Sequence, residues 1–140
     1  MRILTFIFIA LFFLLSSLSA DSPYIKVCIR DICLETEVAD NAQQRQQGLM
    51  FRSSLSGNGG MFFIFEKEGS YNFWMKNMNF ALDIIWIDAD KKIVDIRENN
   101  QPCKESCKSL IPAGQAKYAL EVNAGFIKKN KIKIGEQVNF

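Results

Sequence analysis

The chain has 140 residues, with 17 basic and 15 acidic side chains, a net charge of +2 and 49% hydrophobic residues. This near-neutral balance offers no basic surface for nucleic acid, so we expect no nucleic-acid partner. The absence of histidine excludes Ser-His-Asp and Cys-His nucleophiles and imidazole metal sites. The sequence also lacks a glycine-rich loop of the kind that binds the phosphates of a cofactor. We therefore expect neither a metal nor a cofactor.

Residues 1–20 have the pattern of a secretory signal peptide. Arg2 supplies the positive charge, residues 3–15 are apolar, and small residues precede a cleavage point near Ala20. A membrane anchor is the alternative, but a spanning helix needs about 20 apolar residues. We therefore expect an exported protein, periplasmic or secreted, with no stable membrane insertion and with one mature domain at 21–140.

The first mature segments, YIKVCI and ICLETEVA, predict a β-hairpin with a two-residue turn. This turn places Cys28 opposite Cys33, close enough for a disulfide. Cys103 and Cys107, in PCKESC, could close a second local loop. Because exported proteins meet oxidising conditions, we expect two disulfides, Cys28–Cys33 and Cys103–Cys107. A four-thiolate zinc site is the alternative.

The following segments alternate between short elements and turn signals. Asp40 and Gln43 form a capping box that predicts a helix at 41–47, ended by Gly48. The later patterns predict strands at 61–66, 70–76, 81–88 and 92–98, a loop at 99–114, a strand at 115–123, a short helix at 124–130 and a strand pair at 131–140. Many short strands with two short helices indicate a mainly β domain, either a β-sandwich or a barrel.

The stretch FWMKNMNFALDIIWID, residues 73–88, places polar groups beside two apolar runs. Both faces of its second strand are apolar, so Asp83 is expected in a buried or half-buried position. A buried carboxylate needs a partner, and the sequence offers Lys76, Arg45, Arg52 or the backbone amides of the turn after Lys76. Lys76 is the partner we favour, and we expect it to form an ion pair with Asp83. We expect Lys76, Asn77 and Asp83, with Arg52 and Glu121 as neighbours, to form one connected polar cluster, which is either a structural clamp or part of a pocket.

Four ordered blocks, GLMFRSSL, GMFFIF, FWMKN followed by LDIIWID, and ALEVNAG, resemble the family named domain of unknown function 192, from Val38 to Val138. This resemblance implies a compact, jelly-roll-like β-sandwich and leaves the function unassigned. The pattern falls on Gly48, Leu49, Met50, Arg52, Gly60, Met61, Phe73, Trp74, Met75, Lys76, Asn77, Leu82, Asp83, Leu120, Glu121 and Gly125. Met78 and Ala81 depart from it, since the family usually has a hydroxyl residue and a proline there.

The function we favour is non-catalytic binding of a cell-envelope ligand, such as a glycan or a peptide, by a monomer. Aromatic and amide side chains suit this role, because sandwich folds commonly present them to sugars, whereas no activated nucleophile is recognisable. The candidate ligand-binding residues are Arg52, Trp74, Lys76, Asn77, Asn79, Asp83 and Glu121.

Two alternatives remain open at the level of sequence. Asp83 and Glu121 could form the carboxylate pair of a hydrolase acting on glycans, in which case their separation across a cleft would decide the mechanism. Methionine thioethers are suitable ligands for Cu(I), and the sequence groups four of them near Trp74: Met50, Met61, Met75 and Met78. Methionine among phenylalanines is also common core filling.

Overall fold

The computed structural model describes residues 23–140, so the predicted signal peptide at 1–20 lies outside the described residues. The described chain forms seven strands and two short helices, in the order β1 (Tyr24–Ile29), β2 (Ile32–Ala39), α1 (Ala42–Gln47), β3 (Gly59–Gly69), β4 (Leu82–Ile87), β5 (Ile93–Asn100), β6 (Ala116–Asn123), α2 (Phe126–Asn130) and β7 (Val138–Asn139). The predicted class, mainly β with short helices, is confirmed. Within 23–140, no helix has the length and hydrophobicity needed to cross a membrane.

The strands form one sheet in the order β5-β4-β6-β3-β2-β1-β7. β2 and β3 pair in parallel, and the chain between them carries α1, while the other neighbouring strands are antiparallel. β4 lies between β5 and β6, and β6 lies between β4 and β3. The predicted strand at 81–88 is apolar on both faces because each face of the sheet carries its own hydrophobic core.

The sheet curls until its two ends meet. The segment before β7 pairs with the start of β5 through a bridge between Lys92 and Gln137, and the Gly135 amide donates to the Ile93 carbonyl at 2.7 Å. Val138 also pairs with Ile29 of β1. Seven strands thus enclose an inner face, and the backbone groups at both ends of the sheet find partners in each other.

Each face of the sheet supports its own hydrophobic core. The inner core takes buried side chains from all seven strands and from α2, including Phe62, Ile85, Leu120 and Ile127. The outer core lies on the opposite face and is covered by segments around 49–55 and 71–80. Because side chains alternate between the faces of a strand, the position of a residue in β4 or β6 decides which core it enters.

Both predicted disulfides are present. Cys28 lies directly opposite Cys33 in the β1–β2 hairpin, and a second bond joins Cys103 to Cys107. The described residues contain no free cysteine, so the four thiolates of the zinc alternative are not available. The Cys103 backbone pairs with Met75 and Asn77. The second disulfide therefore stabilises a loop that is hydrogen-bonded to the segment around 71–80.

Three predicted elements differ from the structure. Helix α1 is capped one residue later than expected, by the Asn41 side chain, which accepts from the Gln44 amide at 2.9 Å. Residues 70–76 are not a strand, because they cross over the outer core and their backbone pairs with other segments only through the isolated bridges Phe73–Leu110 and Lys76–Cys103. At 131–140 only Val138–Asn139 is a strand, since the preceding residues are used to turn the chain between β5 and β1.

Candidate functional site

The Asp83 side chain is fully buried on the inner face of the sheet, beside Val122 of β6. Its carboxyl oxygens accept hydrogen bonds from the Asn99 amide at 2.7 Å and the Ile127 amide at 2.9 Å. One donor lies in β5 and the other in α2. Asp83 therefore clamps β4 to a neighbouring strand and to the helix that closes the inner core.

The predicted ion pair between Lys76 and Asp83 is wrong. The Lys76 ammonium lies on the outer surface, 5.1 Å from the centre of the Trp74 ring, where it makes a cation–π contact. Among residues 23–140, no salt bridge joins these two side chains. The prediction assumed a hairpin between 70–76 and 81–88, whereas β4 pairs with β5 and β6.

Arg52 and Asn79 belong to a different surface. Arg52 forms a two-pronged salt bridge with Glu37, with one N–O distance of 2.7 Å, and this hydrogen bonding raises the pKa of Arg52. The Asn79 amide donates to the Arg52 carbonyl at 2.9 Å. Both predicted candidates are thus engaged in holding the chain around residue 52.

Glu121 lies on the opposite face of the sheet from Asp83. In the β4–β6 pairing Glu121 is opposite Ile84, an outer-core residue, whereas Asp83 is opposite Val122 of the inner core. The two carboxyl groups are therefore separated by the sheet and do not face one cleft. Because a glycosidase needs both carboxyl groups across the scissile bond, the pair expected for a hydrolase is not assembled.

A pocket of about 270 Å³ opens on the outer face next to Glu121. We call it the Glu121 pocket, and four separate parts of the chain build it: α1 with the turn after it, β3, the segment 71–78 and β6. Its lining residues are Arg45, Gln46, Gln47, Gly48, Leu49, Met50, Phe63, Phe65, Tyr71, Asn72, Phe73, Trp74, Met78 and Glu121. Apart from the helix side chains at its rim, the pocket is mostly apolar and aromatic.

Glu121 is the unusual group in this pocket. Its side chain belongs to a residue that is only 5% exposed, and its Oε2 atom has no hydrogen-bond partner. Burial raises the pKa of Glu121 from its ordinary value of 4.5 to about 8, with no nearby charge acting against this effect. A buried polar atom without a partner is costly, so an unpaired carboxyl group facing a pocket indicates a site for a ligand.

Gly48 keeps the space in front of this carboxyl group open. It ends α1 with φ of 50° and ψ of −131°, a conformation that residues with a side chain rarely adopt. A Cβ atom at this position would lie 3.7 Å from Glu121 Oε2 and 3.5 Å from the Phe63 ring. The absent side chain thus shapes the pocket at its most polar point.

One wall of the Glu121 pocket is a set of interlocked aromatic rings. Phe65 and Tyr71 stack with centroids 3.6 Å apart, and Phe73 meets the Phe63 ring edge-on at 5.0 Å. The buried Trp86 supports this wall from behind, since its indole N–H donates to the Tyr71 carbonyl at 2.8 Å. The ring orientations are therefore fixed before any ligand arrives.

A second depression continues from the pocket across the surface. This outer groove is lined by Gln43, Gln46, Gln47, Met50, Phe51, Trp74, Lys76 and Asn77, and it shares Gln46, Gln47, Met50 and Trp74 with the Glu121 pocket. Trp74 is 48% exposed and Phe51 is 70% exposed, an unusual amount of apolar surface for a solvated turn. The structure thus brings together four predicted candidates: Trp74, Lys76, Asn77 and Glu121.

The backbone holds the outer groove in a defined shape. Phe51 and Asn77 both have positive φ angles, and the Phe51 amide donates to the Asn77 carbonyl at 2.9 Å. The Asn77 amide in turn donates to the Cys103 carbonyl at 3.1 Å. Left-handed backbone at a non-glycine residue costs free energy, more so for phenylalanine than for asparagine, so its presence at a surface turn points to a functional constraint.

The four methionines considered for Cu(I) occupy two kinds of position. Met61 and Met75 are buried in the outer core, where they act as packing groups. Met78 is buried in the same core and also lines the Glu121 pocket, as does Met50. Only two of the four methionines therefore reach the pocket.

Sequence reasoning missed most of the pocket walls. Arg45 was considered only as a partner for Asp83, but its guanidinium donates to the carbonyls of Asp40 and Ile64 at 2.6 and 2.9 Å. The signal that could have found the pocket was the resemblance itself, because its blocks containing Gly48, Phe73, Trp74 and Glu121 converge here.

The DUF192 family model, described as an uncharacterized ACR, matches residues 25–140. A UPF0127 protein of Pyrococcus abyssi is 27% identical over 108 residues, covering 76% of this chain and 86% of that protein. A UPF0127 protein of Pyrococcus furiosus is 26% identical over 113 residues, covering 79% of this chain and 90% of that protein.

Two solved structures share the fold. A protein of unknown function from Novosphingobium aromaticivorans superposes with a TM-score of 0.76 at 29% identity, covering 84% of this chain and 85% of that chain. A proposed transcription regulator from Sinorhizobium meliloti superposes with a TM-score of 0.73 at 30% identity, covering 83% and 91%. The curled sheet is therefore an architecture that experimentally solved proteins also adopt.

Proposed function

Because this chain belongs to the domain of unknown function 192 family, whose name assigns no activity, we propose a function from the pocket itself: non-catalytic binding of a cell-envelope ligand in the Glu121 pocket and the outer groove. The observation that carries this proposal is the unpartnered, buried carboxyl oxygen of Glu121 at the wall of a preformed aromatic pocket. Ligand sites are typically concave and mostly apolar, with a few fixed polar groups.

The outer groove extends the site toward solvent and suits a larger ligand. Its exposed Trp74 ring offers a flat apolar face, and Gln46, Gln47 and Asn77 offer amides for hydrogen bonds. Aromatic faces beside amides are suited to sugar rings and to peptide side chains. We take the part of the ligand that fills the groove to be a glycan or peptide of the cell envelope.

The proposed setting is outside the cytoplasm. The signal-like pattern of residues 1–20 and the two disulfides support export to a periplasmic or secreted location, since disulfides persist in oxidising compartments. We propose that the mature protein acts there as a monomer.

A role in transcription, as proposed for the Sinorhizobium meliloti relative, has less support in this chain. Its 17 basic side chains are almost balanced by 15 acidic ones. Nucleic-acid binding proteins usually concentrate positive charge on one face. The unpaired carboxyl group of Glu121 would also repel a phosphate backbone whenever it is ionised.

Replacing Trp74 by alanine is expected to weaken ligand binding about tenfold or more, because an aromatic anchor that becomes buried on binding commonly contributes about 2 kcal/mol or more to an interface. The assay is a binding screen of cell-envelope glycans and peptides against the mature protein, followed by titration of each positive ligand. Tyr24→Ala is the matched control, since Tyr24 is 64% exposed and lies outside both the pocket and the groove.

Binding to no member of the panel would contradict the proposed function. Equal losses of affinity in Trp74→Ala and Tyr24→Ala would contradict the proposed place of binding. Both variants are compared by thermal unfolding, so that a loss of folded protein is not mistaken for a loss of affinity.

A further inference from the structure

The Glu121 pocket lacks an internal partner for its carboxyl group. Arg45 also lines the pocket, but its guanidinium is directed at two backbone carbonyls and its central carbon lies 5.8 Å from the Phe65 ring centre. The Tyr71 hydroxyl donates to the Lys67 carbonyl at 2.8 Å. On the neighbouring strands, Met61 and Ile84 lie opposite Glu121, and neither is ionisable.

Resting on the proposed function, we propose that the Glu121 pocket binds an organic ammonium group, the positively charged end of an alkyl- or arylamine carried by the ligand. The ammonium group would donate to the Glu121 carboxylate, and the aromatic wall would surround the rest of the cation. The carboxyl group of the free protein would transfer its proton to solvent as the complex forms, so one proton leaves for each ammonium bound.

The composition of the walls favours a cation over a neutral group. Aromatic ring faces carry negative charge density that attracts ammonium ions, and Phe63, Tyr71 and Phe73 supply fixed rings, whereas the Phe65 ring is stacked on Tyr71 and already contacted by the Arg45 guanidinium. A carboxylate opposite those rings completes the match of charge. Oε2 itself is buried, and the missing side chain at Gly48 leaves room beside it, since a Cβ atom there would lie 3.7 Å from Oε2.

Proton release makes the inference testable through pH. Burial raises the pKa of Glu121 to about 8 in the free protein, whereas a bound cation would lower that pKa. Below pH 8, affinity for a cation should therefore increase about tenfold per pH unit, because ionisation of Glu121 is linked to binding. A neutral ligand that accepts a hydrogen bond from the protonated carboxyl group should instead bind less tightly as the pH rises through 8.

The experiment is an NMR-detected titration of the mature protein with benzylammonium chloride and with benzyl alcohol, its neutral counterpart, at pH 6, 7 and 8 and constant ionic strength. We expect benzylammonium to shift the amide signals of the pocket and to bind more tightly at each higher pH. Calorimetry in buffers of different ionisation heat should show release of close to one proton at pH 7. Glu121→Gln should weaken benzylammonium binding at pH 8 by about tenfold or more and remove its pH dependence.

The control is Glu98→Gln, which makes the same carboxyl-to-amide change at an exposed residue outside the pocket and should leave the titrations unchanged. Equal affinity for benzyl alcohol and benzylammonium at pH 8, a flat or falling pH profile for benzylammonium, or retained binding by Glu121→Gln would overturn the inference. Absence of binding by either probe would also overturn it. A Trp74-dependent hit in the envelope screen would still support the proposed function in that case.

Discussion

Replacing Asp83 by asparagine is expected to lower the free energy of unfolding by about 2 to 4 kcal/mol. The buried carboxyl group accepts hydrogen bonds from the Asn99 and Ile127 amides. An asparagine can offer its oxygen to only one of them, and its NH₂ group would face the other donor. A hydrogen bond to a charged group contributes about 1.5 to 3 kcal/mol, and an unpaired buried amide adds a further penalty.

Urea unfolding at pH 7 measures this effect. Asp90→Asn is the matched control, because Asp90 is exposed and its side chain has no hydrogen-bond partner, so a change below about 0.5 kcal/mol is expected. Lys76→Met should also have a small effect on stability, since Lys76 contacts only the surface of Trp74 with its ammonium group. If Asp83→Asn unfolded at the same urea concentration as the wild type, the clamp would have no energetic importance.

Replacing Glu121 by glutamine is expected to stabilise the protein, increasingly so as the pH rises. Burial raises the pKa of Glu121 from 4.5 to about 8. Between these values the unfolded chain loses the proton while the folded protein keeps it, so the Glu121 contribution to stability falls by about 1.4 kcal/mol per pH unit. This contribution is fully present below pH 4.5 and is lost once the pH exceeds about 8. Glutamine has no proton to lose.

The measurement is urea unfolding of the wild type and Glu121→Gln at pH 4, 6 and 8. The difference in the free energy of unfolding should be small at pH 4 and reach several kcal/mol at pH 8. Glu98→Gln removes an exposed carboxyl group and should show no such trend. A stability difference that stays constant with pH would show that Glu121 ionises normally in the folded protein.

The sequence predicted the elements whose signals are local. The β1–β2 hairpin follows from two alternating segments and a short turn, and its register places Cys28 opposite Cys33 as expected. The apolar run of β4, Leu82–Ile87, is buried on both faces, as predicted for the strand at 81–88. These features depend only on neighbouring residues, so one sequence is sufficient to define them.

The alternation in 70–76 led to an incorrect strand. Phe73 and Met75 do point toward the core while Trp74 is exposed, so the backbone is extended as the pattern suggested. Alternation reports which side of an extended segment is covered, but it does not report a hydrogen-bonded neighbour. The segment packs its apolar side on the outer face of the sheet and leaves Trp74 free to line the groove.

The separation of Asp83 from Glu121 depends on strand register. A shift of one residue in the β4–β6 pairing would place both carboxyl groups on the same face, and no pattern within either segment fixes that register. Local sequence patterns could not predict the Glu121 pocket either, because its walls come from four segments that are distant in the chain. Four candidate residues therefore lie at neighbouring depressions, but the arrangement predicted around Asp83 was wrong.

The closure of the sheet has a consequence for the order of folding. The first strand, β1, pairs with the last strand, β7, and the segment before β7 also bonds to the start of β5. A chain still missing residues 134–139 can form the middle of the sheet but cannot join its two ends. Contacts this distant in sequence slow folding, because the long loop between them must be ordered first. Until residues 134–139 have been synthesised, an emerging chain would present two open sheet edges to any neighbouring polypeptide.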